Sequence, residues 1–229
     1  MSKARASRPA VVLLVVAAAL GALWFAIGRR TNGPRPNVLV LVMDTTRGDR
    51  CSFDGYPRPT TPHIDAFAKD AVVFRDAWSP SGWTVPAHAA LFTGRRPEHV
   101  GLSIGDRLFL GTGFPTLAET LAAAGWSTAC FSNNELIGPD FGLARGFATV
   151  EPLYSRTTRT YPWAPATHDL AATWAEGEAR AGRPFFLFIN DMEPHMPYTP
   201  PAEDERRLVR DDPTPAELAR MKALLRPAR

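Results

Sequence analysis

Apolar residues in this chain gather in short unbroken runs, separated by stretches that carry them at helical spacing. Asn37 to Met43 reads NVLVLVM without alternation, the pattern of a strand buried on both faces in a parallel sheet. Pro184 to Ile189, PFFLFI, repeats it, and Ser127 to Phe131 is a third candidate strand. Ala71 to Phe74 reads as a further short apolar strand. Between these runs lie predicted helices. Thr61 to Asp70 has Pro62 in its first turn, Trp83 to Gly94 turns at Pro86 and stops near a glycine, and Thr116 to Ala124 is closed by Gly125. His168 to Ala181 is another helix, and a weaker one is predicted over Pro215 to Leu225. The repeated order of strand then helix predicts an α/β domain with a mostly parallel sheet flanked by helices.

One run is of a different kind. Pro9 to Gly28, PAVVLLVVAAALGALWFAIG, is uncharged and meets the length of about 20 residues that a spanning helix needs. It follows a basic tail, residues 1–8, and is followed at once by Arg29 and Arg30. This predicts one transmembrane helix acting as an uncleaved signal anchor, or a signal peptide that is removed, with the globular part on the extracytoplasmic, periplasmic side of a bacterial inner membrane. The expected organisation is therefore a tail (1–8), an anchor (9–28), a linker (29–36), a catalytic-type domain (37–201) and a charged, proline-containing tail (202–229).

Composition changes little in this picture. The chain has 229 residues, 45% hydrophobic and 21% charged, which suits a globular core. The net charge of +3 comes largely from the basic residues flanking the anchor, so no nucleic-acid partner is expected. Cys51 and Cys130 are too few for a disulfide framework and sit in no zinc-binding spacing, so both read as buried or half-buried thiols.

Three polar clusters follow strands or open a helix: Asp44-Thr-Thr-Arg-Gly-Asp49, Thr84-Val-Pro-Ala-His88 and Glu193-Pro-His-Met-Pro-Tyr198. In open α/β sheets ligands bind at the carboxyl ends of strands, so the shared placement points to one site. Asp44 offers oxygen to a divalent cation, and a hydroxyl at a helix N-terminus sits among amides that tolerate anions. Threonine is a weak nucleophile that needs a metal or a base beside it. His88, one turn after Thr84, is placed to orient or protonate a substrate oxygen, and His195 to hydrogen-bond anionic oxygens. Each has a plainer reading: a helix cap for Thr84, a turn carboxylate for Asp44, a buried core histidine for His88, a turn residue for His195. Arg47 either contacts substrate or pairs with Asp49.

The run NVLVLVMDTTRGDRCSFDGYPRPTTPHIDAFAKDAVVFRDAWSPSGWTVPAHAALFTGRRPEHVG, followed in order by FSNNELIGPDFGLARGF and PFFLFINDMEPHMPY, resembles the opening of the bacterial sulfatase family in the alkaline phosphatase superfamily. The resemblance implies a metal-dependent hydrolase or transferase of phospho- or sulfo-esters, acting on an anionic ester. It implies Asp44 and Thr84 as metal ligands, Thr84 as nucleophile, and His195 and Asn133 as substrate contacts, with Arg47 kept as a candidate substrate contact from its place in the first cluster. The divalent metal ion (Ca, Mg, Mn or Zn) is left open.

The chain also departs from the family. Sulfatases carry a cysteine or serine converted to formylglycine within Cys-x-Pro-Ser-Arg, where this chain has Thr-Val-Pro-Ala-His, and threonine offers no such route. The form is similar to that of lipoteichoic acid synthases and phosphoethanolamine transferases, which use an unmodified threonine. Thr45 stands where a second aspartate is frequent, and Asn133 and Glu135 where Lys-x-His is frequent. The family's later metal ligands have no counterpart after His195. This leads to the expectation of a fragment, inactive alone, with a catalytically silent membrane-anchored module as the alternative.

Overall fold

The computed structural model describes residues 35–102, 108–153, 164–196, 198, 200–208, 214–216 and 220. From Val38 onward, four strands form one sheet: β1 (Val38–Met43), β2 (Ser127–Ser132), β3 (Thr149–Pro152) and β4 (Phe185–Asp191). Their spatial order is β1-β4-β2-β3 and every pairing is parallel. The helices are α1 (Pro62–Ala68), α2 (Thr84–Thr93), α3 (Leu117–Ala123), α4 (Ala164–Arg180) and α5 (Ala202–Leu208).

Strand alternation sorts the apolar residues onto two faces. On one, Phe186 and Phe188 of β4 and Cys130 of β2 pack with Val85, Ala89 and Phe92 of α2, and Val38, Val40 and Val42 of β1 lean on the same cluster. The Phe92 and Phe188 rings meet nearly edge-on, centroids 4.9 Å apart. On the other face, Phe185, Leu187 and Ile189 of β4 and Ala129 and Phe131 of β2 pack with Ala171 and Trp174 of α4. All seven residues of β4 are buried, as a central strand covered on both sides requires. Each fully buried phenylalanine contributes about 1.5–3 kcal/mol. On its α4 side β1 stays uncovered, with Leu39 59% and Leu41 48% exposed.

Local signals account for the helix ends. Gly94 closes α2 at φ 63°, where its N–H reaches the Ala90 carbonyl at 2.8 Å. A reciprocal capping box starts α3: Glu119 N–H donates to Thr116 Oγ1 at 3.0 Å and Thr116 N–H to Glu119 Oε2 at 2.7 Å.

Several expectations need correction. Ala71–Phe74 is not a strand: it runs between α1 and α2 beside no strand that pairs with it, leaving Val72 and Phe74 exposed. Four apolar residues do not make a strand without a partner ladder. The helix expected from His168 begins at Ala164, and β3 and α5 went unread. The predicted anchor at 9–28 lies outside the described residues, and the helix expected over 215–225 lies mostly outside them. Among the described residues no helix is long and apolar enough to cross a membrane. Both cysteines are free and buried, and burial pushes the Cys130 thiol up to about 12.

Gly146 shows how tightly the turn before β3 docks. Its φ is +85°, and a Cβ there would lie 2.2 Å from the Glu119 amide nitrogen at the start of α3. Gly146→Ala is expected to cost on the order of 3 kcal/mol in chemical denaturation. Gly177→Ala, in α4 with nothing within 4 Å of the new methyl, is expected to gain about 0.5–1 kcal/mol. Equal effects of the two would refute the packing described.

Candidate active site

The alternation that builds the core also builds the site. Val38, Val40 and Val42 of β1 face α2, and Asp44, two positions on, keeps that direction. Phe186 and Phe188 of β4 are followed in the same way by Asn190, and Cys130 and Ser132 of β2 by Asn134. Three polar side chains thus arrive at the carboxyl ends of three adjacent strands on one face. The Asn134 amide nitrogen donates to Asp44 Oδ2 at 2.8 Å, and the Asn190 amide nitrogen reaches the same oxygen at 3.4 Å. Asp44 is 7% exposed, so these donors offset part of the cost of burying a carboxylate.

Thr84 comes to this cluster from α2. It is the first residue of that helix, with Trp83 extended before it and Pro86 still within the first turn, where the missing N–H costs nothing. Its hydroxyl lies 3.4 Å from the Asn134 amide nitrogen that also holds Asp44. Asp44 and Thr84 therefore share one amide.

The remaining predicted site residues have hydrogen bonds of their own. Asn133 points to the opposite face, where its side-chain oxygen accepts a hydrogen bond from Thr167 of α4 at 3.0 Å. Strand parity explains the correction: Asn133 continues Ala129 and Phe131 toward α4, and Asn134 takes the place beside Asp44. Arg47 forms a bidentate pair with Asp49 at 3.0 and 2.7 Å, both side chains largely exposed. His195, on the loop after β4, bonds the Met196 carbonyl through Nδ1 at 2.7 Å. That loop is tied to the one after β1 by the Thr45 hydroxyl, which donates to the Pro194 carbonyl at 3.0 Å. Thr45 holds φ 54°, a costly conformation for a β-branched residue that its neighbours must enforce.

His88 is buried between Phe92 and Phe188, ring centroids 6.1 and 5.9 Å away. Its Nδ1 lies 2.9 Å from the Thr84 carbonyl, which can only accept, so Nδ1 carries the proton. Nε2 then holds a lone pair, buried and without a hydrogen-bond partner among the described residues. Through the Nδ1 bond His88 braces the first turn of α2 at Thr84. A cavity of about 510 Å³ runs along α2 between Trp78, Pro80, Leu91 and Arg95, with His88 on its wall, but neither Asp44 nor Thr84 lines it.

A second polar pair lies across the sheet. His168 of α4 meets the buried Asp191 carboxylate at 3.0 and 3.1 Å through Nε2. Burial pushes the Asp191 carboxyl up, against the opposing pull of His168.

The donor set suits a cation in part. A carboxylate and a hydroxyl are oxygen ligands of the kind divalent ions take. Asn190 Oδ1, like His88 Nε2, is a buried acceptor without a partner among the described residues, and a surplus of acceptors accommodates a cation or its waters. Among the described residues no three His, Cys, Asp or Glu side chains gather at one point. Asp44 and Thr84 thus amount to part of a ligand set.

Desolvation lowers the His88 pKa, outweighing the Thr84 carbonyl and the Asp44 charge, which act the other way. The unfolded chain therefore binds a proton more readily than the native one from about pH 6.5 downward. Stability is present in full above that window and is lost as pH falls through it. Melting temperature is expected to drop between about pH 7.5 and about pH 5, and His88→Gln to flatten that drop. Asp191 has the opposite sign and acts nearer the carboxylate range. A His88→Gln profile parallel to that of the native protein would contradict the assignment.

Comparison with known proteins agrees with this architecture. The sulfatase family model matches residues 36–221. The ulvan-active sulfatase of Formosa agariphila is 36% identical over 188 residues, covering 72% of this chain and 36% of that protein. Human arylsulfatase A is 34% identical over 228 residues, covering 76% and 44%. The chain spans less than half the length of these relatives. The phosphonate monoester hydrolase of Agrobacterium radiobacter superposes with TM-score 0.60 at 24% identity, covering 76% of this chain and 44% of that one. The C-terminal periplasmic domain of an Escherichia coli protein, in complex with Zn, gives 0.59 at 20%, covering 80% and 51%. At those identities the structural likeness speaks for the fold. Since the family match takes in most of the sequence, the chain belongs to the sulfatase family.

Proposed function

We propose that this domain is the nucleophile-bearing part of a metal-dependent enzyme that hydrolyses or transfers a phospho- or sulfo-ester, with Thr84 as nucleophile. The observation that carries the reading is the amide shared by the Asp44 carboxylate and the Thr84 hydroxyl. The relatives named as sulfatases support an anionic ester as substrate.

Asp44 and Thr84 would hold the divalent ion, which when bound polarises the ester and favours the alkoxide of Thr84. Thr84 Oγ1 forms the new bond to phosphorus or sulfur while the bond to the ester oxygen breaks, and the departing alcohol takes up a proton. The first turn of α2 presents amide N–H groups to the developing anionic charge. The Thr45 hydroxyl, bonded to the Pro194 carbonyl, keeps the loop of His195 close to the loop after Asp44, where the imidazole would hydrogen-bond the anionic oxygens of the substrate. Water or an acceptor alcohol then releases the group from Thr84. An unmodified threonine favours phosphoester over sulfate-ester chemistry, because the aldehyde hydrate of formylglycine is not available to it. The segment 9–28 would hold the enzyme at the extracytoplasmic face of the membrane.

The complete protein is to be assayed against an aryl sulfate and a phosphodiester, with and without Mn²⁺ or Ca²⁺. Turnover is expected to need the ion, and Thr84→Ala is expected to lower kcat by at least about 10³-fold. Native turnover by Thr84→Ala would sink the reading of Thr84 as nucleophile, and no turnover by the native protein on either substrate would favour a silent binding module.

A further inference from the structure

The Asn134 side chain is buried and hydrogen-bonded at three points. It is 4% exposed. Its backbone N–H donates to Ser132 Oγ at 3.1 Å, and its side-chain oxygen accepts the Leu136 N–H at 2.9 Å. An amide oxygen and nitrogen look alike in shape, but here Leu136 decides between them: a backbone N–H can only donate, so Oδ1 faces it and Nδ2 faces Asp44 and Thr84. The two protons of Nδ2 are then divided between Asp44 Oδ2 at 2.8 Å and Thr84 Oγ1 at 3.4 Å.

This arrangement has two consequences for Asp44 and Thr84. Asp44 Oδ2 takes a second amide proton from Asn190 at 3.4 Å, so the carboxylate is clamped through one oxygen and its other oxygen is left for a cation. Thr84 Oγ1 accepts from Asn134, so its own proton is directed elsewhere and one lone pair is already engaged. Both effects come from a neutral group, which adds no charge to the site.

We propose that Asn134 is a positioning residue: a neutral amide that fixes the spacing between Asp44 and the Thr84 oxygen and reserves Asp44 Oδ1 for the divalent ion. The proposal rests on the reading of Thr84 as nucleophile and of Asp44 as ligand. A strut of this kind acts through its two neighbours, so its loss misplaces them without removing either.

The test compares Asn134→Ala and Asn134→Asp with Thr84→Ala in the complete protein, by Mn²⁺ calorimetry and by steady-state kinetics. Asn134→Asp keeps shape and the Leu136 contact but loses both donated bonds, so it decides the matter if the alanine variant fails to fold. Asn134→Ala is expected to weaken Mn²⁺ binding by about 10-fold and to lower kcat by about 10²-fold with KM within about twofold. Asn134→Asp is expected to lose kcat similarly while binding Mn²⁺ at least as tightly, since it adds a carboxylate. A purely structural residue would lower the melting temperature and leave kcat and Mn²⁺ affinity unchanged, and that result overturns the proposal. Thr84→Ala inactive with Asn134→Asp fully active would sink the positioning role alone. Active Thr84→Ala, or no Mn²⁺ binding by the native protein, would sink the underlying reading as well.

Discussion

A buried carboxylate must be supplied with hydrogen-bond donors, and the supply to Asp44 ties this structure together. The donors come from two other strands, Asn190 at the end of β4 and Asn134 just past β2. They meet because the strands run parallel and in register, with Val42 level with Asn190 and Ser132 level with Asn190. A slip of one residue in any strand would send its polar terminus to the α4 side and leave Asp44 short of a donor. The hydrophobic alternation that fills the core therefore also determines which polar groups reach the site.

The position of Thr84 depends on the same core by another route. Thr84 is held by a helix whose inner face, Val85, Ala89 and Phe92, packs on Phe186 and Phe188. His88 lies in that packing and bonds back to the Thr84 carbonyl, so the first turn of α2 is braced from below. On the open side, strain at Thr45 and its bond to the Pro194 carbonyl couple the loop after Asp44 to the loop that carries His195. The cluster is thus framed by the start of α2, braced from the core, and by two loops bonded to each other.

Much of this was legible in the sequence. The runs that became β1 and β4 are unbroken and apolar, the shorter STACF stretch followed a glycine-stopped helix, and strand ends followed by Asp44 or by the Glu193 to Tyr198 segment stood out as candidate ligand positions. Thr84 at the start of a helix could be placed from Pro86 and Gly94. Asn134 was missed because family spacing leads to Asn133, whose side chain turns to the α4 face, whereas counting by twos from Cys130 leads to Asn134. For His88 the sequence left two readings open, because a helical neighbour of Thr84 at i+4 can lie either over the site or in the core, and its packing against Phe92 and Phe188 is a tertiary feature. β3 escaped notice because TVEP has no apolar run, and its strand character comes from pairing with β2. α5 was hidden by a charged sequence, AEDERRL, with no apolar face to reveal a period.

The most direct test of the central claim is anomalous diffraction from crystals of the complete protein soaked in Mn²⁺. The expected result is one strong peak within coordination distance of both Asp44 and Thr84 Oγ1, with Asn134 still bridging them. An ordered ion bound elsewhere, with Asp44 and Thr84 making no contact to it, would contradict the assignment of this cluster as the catalytic centre.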